Sequence, residues 1–165
     1  VRRGAPDARL ILDANQSWSV EALKVHAAAL AGAGVVLLEQ PVAVGAEAGL
    51  DGYRCPIPIA ADELINGVED LALARGRFDV INIKLDKTGG LTPALELAAA
   101  ARAQGFGLMV GCMAGSSLSM APALVLAQQC AFVDLDGPLL QSEDWPDGLH
   151  YDNGVVSPPD PAFWG

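Results

Sequence analysis

The chain has 165 residues, 52% of them hydrophobic and 18% charged, so it can bury the core of one domain. Its net charge of −10 argues against nucleic acid and anionic membranes as partners, since both attract clustered lysine and arginine. No apolar run reaches the roughly 20 residues of a membrane span, and no signal peptide is visible, so we expect a cytoplasmic protein. The three cysteines, Cys55, Cys112 and Cys130, fit neither a disulfide framework nor a zinc motif and are predicted to be buried, reduced thiols.

Strand and helix patterns alternate along the chain. Continuous apolar runs predict strands at 9–14, 35–39, 57–61, 79–85, 106–111 and 130–135. Helices are predicted near 19–33, 45–53, 67–76, 92–104 and 117–129. Ser19 and Thr92 are the expected caps of the first and fourth helices, and Gly32 and Gly34 are expected to end the first. The tail, 138–165, is rich in Pro, Gly, Asp and Trp and is predicted to be irregular.

This alternation predicts an α/β fold with a parallel sheet. Asp13, Glu39, Asp62 and Lys84 each end an apolar run, and they are 26, 23 and 22 positions apart. The near-constant step favours a TIM-type barrel over a doubly wound sheet. A barrel of this type has eight strands, and about six are predicted here. We therefore expect a partial (β/α)₇β barrel whose first two strands lie upstream or come from another chain.

Three carboxylates, those of Asp13, Glu39 and Asp62, are the strongest chemical signal. The carboxyl ends of parallel barrel strands meet on one face, where the active site lies. Carboxylate oxygens are the ligands that Mg²⁺ takes in octahedral geometry, so this face is a candidate magnesium site. The alternative interpretation is that each carboxylate is a helix cap or a loop residue.

Lys84 interrupts the apolar strand INIKLD. Burying a lysine is costly unless it faces a polar site. Desolvation or a nearby cation would lower its pKa and make it a usable base, whereas the alternative is a rim lysine paired with a carboxylate. Lys87, three residues later, is expected to lie in a solvated loop.

Five motifs in this order, DANQSW, LLEQP, ADE, NIKLDKTGG and GCMAGSSLSMAPA, resemble the enolase superfamily and, within it, the muconate-lactonizing-enzyme subgroup. The resemblance covers residues 1–150, with 151–165 as an irregular tail. It implies that Asp13, Glu39 and Asp62 bind Mg²⁺ and that Lys84 is an acid/base at a substrate α-carbon, with a metal-stabilised enolate between the two proton transfers. The residues implied to orient the ligands adjoin them: Asn15, Gln40 and Glu63.

The motif D-x-D at Asp134 and Asp136 narrows the implied substrate. Residues two apart on a strand face the same side, and two carboxylates there would suit an ammonium group. The motif resembles that of the dipeptide epimerases, which implies a dipeptide such as Ala-Glu, with Cys112 and Met113 of the segment GCMAGSSLS packing near it. The alternatives are a turn before Gly137 for the aspartates and helix capping for Ser116 and Ser117 of that segment.

The two histidines argue against another subgroup. His26 falls in a predicted helix and His150 in the tail, so neither matches the histidine base that mandelate racemases carry on the seventh strand.

The chain departs from the family in two ways. The family has an N-terminal cap and a Lys-x-Lys on its second barrel strand, and neither is found here. With Lys84 alone we expect at most exchange on one face of the α-carbon, so the chain is expected to be truncated and its activity is open. The rival interpretations are an o-succinylbenzoate synthase or cycloisomerase of the same superfamily, and a non-catalytic fragment. The sequence leaves the oligomeric state open, a homo-oligomer included.

Overall fold

The computed structural model describes residues 1–164. The chain divides into two compact units, one of residues 1–81 and one from Asn82 onward, and the division falls inside a strand. Within residues 1–164, six parallel strands form one sheet in chain order. This confirms the predicted fold class, an α/β fold built like part of a TIM-type barrel, because consecutive parallel strands are joined by helical segments.

The first unit contains three complete strands and the start of a fourth. Its elements are β1 (Leu10–Asp13), α1 (Val20–Gly32), β2 (Val35–Glu39), a 3₁₀ turn (Glu47–Leu50), β3 (Ile59–Ala61), a 3₁₀ turn (Val68–Asp70), α2 (Leu71–Ala74) and the first part of β4 (Val80–Lys84). Ser19 caps α1 as predicted, because its hydroxyl accepts a 3.1 Å hydrogen bond from the Ala22 amide. Strands β2 and β3 are buried along nearly their whole length, which is typical of parallel strands covered on both faces.

The second unit begins with the end of β4. Its other elements are α3 (Leu85–Thr88), α4 (Leu91–Ala103), β5 (Gly107–Gly111), α5 (Ser117–Met120), α6 (Ala123–Ala127), β6 (Phe132–Val133), a 3₁₀ turn (Gly137–Leu140), β7 (His150–Asp152), β8 (Val155–Ser157) and a 3₁₀ turn (Pro161–Trp164). Its core includes Ile83, Leu97, Met109 and Met120, each nearly or fully buried. No helix within residues 1–164 is both long and apolar enough to cross a membrane.

Several predicted boundaries were wrong. The helix expected over 117–129 is two short helices, because Pro122 lies between them and occupies the N-cap of α6. The helix expected over 45–53 is only a 3₁₀ turn, and that over 67–76 is a 3₁₀ turn followed by the four-residue α2.

Two further expectations also differ from the structure. Helix α4 begins after Gly90, so Thr92 lies inside the helix and not at its cap. In the tail, β7 and β8 form an antiparallel hairpin around Asn153 and Gly154, which have φ values of +49° and +79°. Positive φ at both central residues is what a two-residue hairpin turn needs, and the Asn-Gly pair supplies it.

Candidate active site

The three predicted metal ligands end neighbouring strands of the first unit. Asp13 of β1 pairs directly with Glu39 of β2. Glu39 in turn pairs with Ala60 of β3, and Asp62 follows two residues later. Glu39 and Asp62 are 4% and 3% exposed, whereas Asp13 is exposed. The parallel register therefore brings the three residues to the same edge of the sheet, as the sequence predicts.

Neighbouring residues hold the carboxylate of Asp13 and the backbone of Asp62. Asn15 donates to both Asp13 carboxylate oxygens, from its amide at 2.7 Å and from Nδ2 at 3.2 Å. The fully buried Gln40 accepts a 2.8 Å hydrogen bond from the Asp62 amide through Oε1 and donates from Nε2 to the Val42 carbonyl at 3.0 Å. Both residues have positive φ, +47° and +27°, so the backbone turns sharply just after the strand ends.

The chemistry of these residues fits a hard divalent cation. All the donors are carboxylate oxygens, and burial of Glu39 and Asp62 is costly unless their charge is paired or bound by a metal. Glu63 Oε2 is buried without a hydrogen-bond partner, so a further negative oxygen lies next to Asp62 in the chain. As the side chains stand, no group of three or more His, Cys, Asp and Glu residues among 1–164 is close enough to hold a metal ion.

Lys84 lies half-buried at the end of β4 in the second unit. Asn82, two residues earlier on the strand, is fully buried and points to the same side. A Cβ built on Gly111, the last residue of β5, would lie 2.9 Å from Lys84 Cε and 2.8 Å from the Asn82 amide atoms. Gly111 therefore leaves the space that the lysine side chain occupies, a role that no local sequence pattern predicts.

Asp134 and Asp136 flank the buried Leu135, and both are exposed. They follow β6, which ends at Val133, and are not part of the strand. Both line a cavity of about 610 Å³ together with Tyr151 of the hairpin, whose hydroxyl donates to the Leu135 carbonyl at 2.6 Å. Two carboxylates at one cavity wall form a place for a cationic group.

Cys112 lies among the predicted functional side chains of this unit. Burial raises the pKa of its thiol, and the nearby charges of Asp134 and Asp136 raise it further, while a backbone contact with Gly137 and the charge of Lys84 act in the opposite direction. Cys112 follows Gly111, which faces Lys84, and its Sγ would be 3.4 Å from a Cβ on Gly137, the residue after Asp136. The second unit thus brings together four residues that the sequence analysis names from three separate motifs.

Met113, the other residue predicted to pack near the substrate, adjoins Cys112, whereas the two histidines lie elsewhere. Met113 is half-exposed, and its carbonyl would be 3.0 Å from a Cβ on Gly137. His26 is exposed on α1 beside Trp18, with 5.7 Å between the ring centroids, and His150 begins β7. The three cysteines are free thiols and are half-buried, less than expected.

One contact of the second unit, between Asp144 and Ser117, is not predicted by any pattern in the sequence. Asp144 accepts hydrogen bonds from the Ser117 amide at 2.7 Å, from the Ser117 hydroxyl at 2.5 Å and from the Trp145 amide at 2.7 Å. Ser117 is fully buried, and its hydroxyl also accepts a 2.8 Å hydrogen bond from the Leu149 amide. Because the two partners are 27 residues apart, no spacing rule could have paired them.

This contact predicts a loss of stability in acid. Partial desolvation raises the pKa of Asp144, but its three hydrogen bonds outweigh this and hold the pKa below the ordinary value. The contribution of Asp144 to stability is therefore complete above about pH 4, the range of an unfolded aspartate, and is lost as the pH falls through the lower folded value. Urea unfolding of the native chain and of Asp144→Asn should give a difference at pH 7 that shrinks towards pH 3. A constant difference would contradict the prediction.

The fold and these two groups of residues define the class of protein: an α/β barrel portion with acidic and lysine residues at its strand ends. The chain matches the family described as "Enolase C-terminal domain-like" over residues 1–162, and it belongs to that family.

Individual relatives are more specific. The chain is 46% identical over 165 residues to an N-acetyl-D-glutamate racemase from Pseudoalteromonas, covering all of this chain and 52% of that protein. It is 47% identical over 156 residues to the L-Ala-D/L-Glu epimerase of Escherichia coli, covering 94% of this chain and 49% of the enzyme. These relatives are isomerases that act on amino acid derivatives. The chain spans about half the length of the curated relatives it matches.

Solved structures of enolase-superfamily proteins also superpose on this chain. An enolase family member from Agrobacterium tumefaciens with homology to dipeptide epimerases, bound to sodium and L-Ala-L-Glu, superposes with a TM-score of 0.96 at 50% identity, covering all of this chain and 51% of that one. The muconate lactonizing enzyme from Pseudomonas putida superposes at 0.88 with 30% identity, covering 98% and 48%. The resemblance to the enolase superfamily that the motifs indicate is therefore confirmed.

Proposed function

We propose that this chain is the part of an Mg²⁺-dependent epimerase that carries the metal ligands, one catalytic lysine and the ammonium-binding aspartates, and that its substrate is a dipeptide such as Ala-Glu. The observation that carries the proposal is the position of Cys112, which follows Gly111, the residue that faces Lys84, and lies against Gly137, the residue after Asp136. Relatives named as epimerases and racemases support the reaction class.

The second unit supplies the groups that bind and exchange a proton. The carboxylates of Asp134 and Asp136 would bind the free ammonium group of a dipeptide. The neutral amine of Lys84 would then accept the α-proton: the C–H bond breaks, the proton moves to Nζ, and the electron pair passes into the adjacent carboxylate of the substrate. Return of the proton from Nζ restores the same configuration, whereas delivery from the opposite face inverts it.

The first unit supplies the residues that would hold the metal: Asp13, Glu39 and Asp62. When bound, Mg²⁺ supplies positive charge that offsets the negative charge gained by the substrate carboxylate as the proton leaves. Asn15 would fix the Asp13 carboxylate and Gln40 the backbone of Asp62, so both position ligands without touching substrate. We place Glu63 in the same supporting group.

The alternative substrates differ from a dipeptide in having no ammonium group for Asp134 and Asp136 to bind. An N-acetylated glutamate, suggested by the Pseudoalteromonas relative, has no ammonium group, and the substrates of o-succinylbenzoate synthases and cycloisomerases lack an amine as well. The exposed pair, Asp134 and Asp136, therefore favours a substrate with a free amine. The acidic charge supports a small-molecule substrate over nucleic acid or membrane, and the free cysteines support a cytoplasmic location.

The test is proton NMR of L-Ala-L-Glu and of N-acetylglutamate in D₂O with this chain, first with Mg²⁺ and then with a chelator. We expect loss of an α-proton signal from the dipeptide only, and only with Mg²⁺. Exchange of N-acetylglutamate alone would favour the racemase. No exchange of either compound by a chain shown to be folded would favour a non-catalytic fragment.

Substitution of Asp136 tests the ammonium site separately. Asp136→Asn keeps the size of the side chain and removes one negative charge, so binding of Ala-Glu should weaken by about tenfold or more. NMR titration of the dipeptide measures this, and Asp152→Asn, an exposed change on the hairpin, is the control. Binding that is equally tight in both variants would count against an ammonium site at Asp136.

A further inference from the structure

The Asp144–Ser117 contact lies at one end of the segment 112–116, which leads from β5 to α5. At its other end the segment is held by β5, whose last residue is Gly111. At the α5 end, Ser117 is held through both its amide and its hydroxyl by one carboxylate. The segment is therefore anchored at both ends, and Asp144 provides the second anchor.

The space around this contact is closed on the side of Gly148. A Cβ built on Gly148 would lie 2.7 Å from Asp144 Oδ2 and 2.7 Å from Ser117 Oγ. The φ of Gly148 is not positive, so the backbone would tolerate alanine and only the side-chain contact would be disturbed. The backbone amides of Trp145 and Leu149, in the same loop, donate hydrogen bonds to the Asp144 carboxylate and to the Ser117 hydroxyl. The loop 144–149 thus folds around Ser117.

The anchored segment carries Cys112 and Met113. The Met113 carbonyl oxygen and Cys112 Sγ would lie 3.0 Å and 3.4 Å from a Cβ on Gly137, the residue after Asp136. A change in the path of 112–116 would therefore move the wall next to Asp136. Asp144 itself lies at the surface and reaches the segment through the amide and hydroxyl of Ser117.

We propose that Asp144 is a positioning residue, which holds the segment 112–116 in its substrate-binding conformation through Ser117. Without this anchor the segment keeps its covalent connections but samples more conformations, and a ligand must order it on binding. The inference about substrate rests on the proposed function, whereas the inference about the segment does not.

Two measurements on the full chain test separately whether Asp144 anchors the segment and whether the anchored segment is needed to bind substrate. Amide hydrogen exchange should show at least about tenfold faster exchange at 112–117 in Asp144→Ala and in Gly148→Ala, with no change at Leu108–Val110 of β5. NMR titration with Ala-Glu should give a dissociation constant raised about tenfold in both variants. Glu143→Ala, an exposed charge removal one residue away, is the matched control and should alter neither.

The outcomes distinguish the two proposals. Faster exchange at 112–117 with weaker dipeptide binding supports the positioning role. Faster exchange with unchanged binding, or exchange no faster than in Glu143→Ala, overturns it. If the native chain binds no dipeptide at all, the proposed substrate fails, and the exchange data alone then decide whether Asp144 anchors the segment. If Asp144→Ala does not fold, Gly148→Ala, which retains the carboxylate, gives the answer.

Discussion

Replacing Lys84 with methionine is expected to lower α-proton exchange on Ala-Glu by at least about 10³-fold. General acid–base catalysis by a positioned side chain contributes about 10²–10⁴-fold, and methionine keeps the length of the stem without a titratable amine. Binding of the dipeptide should change little, because the aspartates assigned to its ammonium group remain. Deuterium incorporation measured by NMR gives the rate, and titration gives the affinity.

The matched control for Lys84→Met is Lys24→Met. Lys24 is exposed on α1, with its amine 5.5 Å from the centre of the Tyr53 ring, so its loss removes the same charge at a position given no part in the reaction. Exchange in Lys24→Met should stay within about twofold of the native rate. Exchange retained in Lys84→Met would show that another group takes the proton, and the catalytic assignment would fail.

Replacing Gly111 with alanine is expected to lower the same exchange rate by about 100-fold without removing any functional group. The added methyl would lie 2.9 Å from Lys84 Cε and 2.8 Å from the Asn82 amide, both too close. Asn82 is fully buried, so the half-buried Lys84 is the side chain that must move. A displacement of about 1 Å at a catalytic group can cost about 10²-fold in rate.

Two comparisons make the Gly111 experiment specific. Gly32→Ala is the same chemical change at the end of α1, where no heavy atom lies within 4 Å of the new methyl, and it should leave exchange unchanged. In the double variant, Gly111→Ala should add nothing to Lys84→Met, because both act on the same amine. If the two losses multiply, Gly111 acts by a route other than Lys84.

Much of the fold follows from local patterns. Buried parallel strands appear as uninterrupted apolar runs, which is why β2, β4 and β5 were predicted nearly to their ends. Short helices were predicted less well. Pro122 ended a helix that periodicity alone extended to 129, and β6 kept only two residues of a predicted six. Caps and strand ends depend on hydrogen bonds to distant parts of the chain, which periodicity does not report.

In the candidate site, too, some features follow from the sequence and others only from the tertiary structure. The sequence itself determines that Asp13, Glu39, Asp62 and Lys84 lie at strand ends, because each one ends its own apolar run. It also determines that Asp134 and Asp136 flank the buried Leu135, because these three residues are consecutive. The tertiary structure alone decided that Gly111 makes room for Lys84 and that Asp144 holds Ser117. Each of these contacts joins residues 27 positions apart, and only the packed chain determines the distance between them.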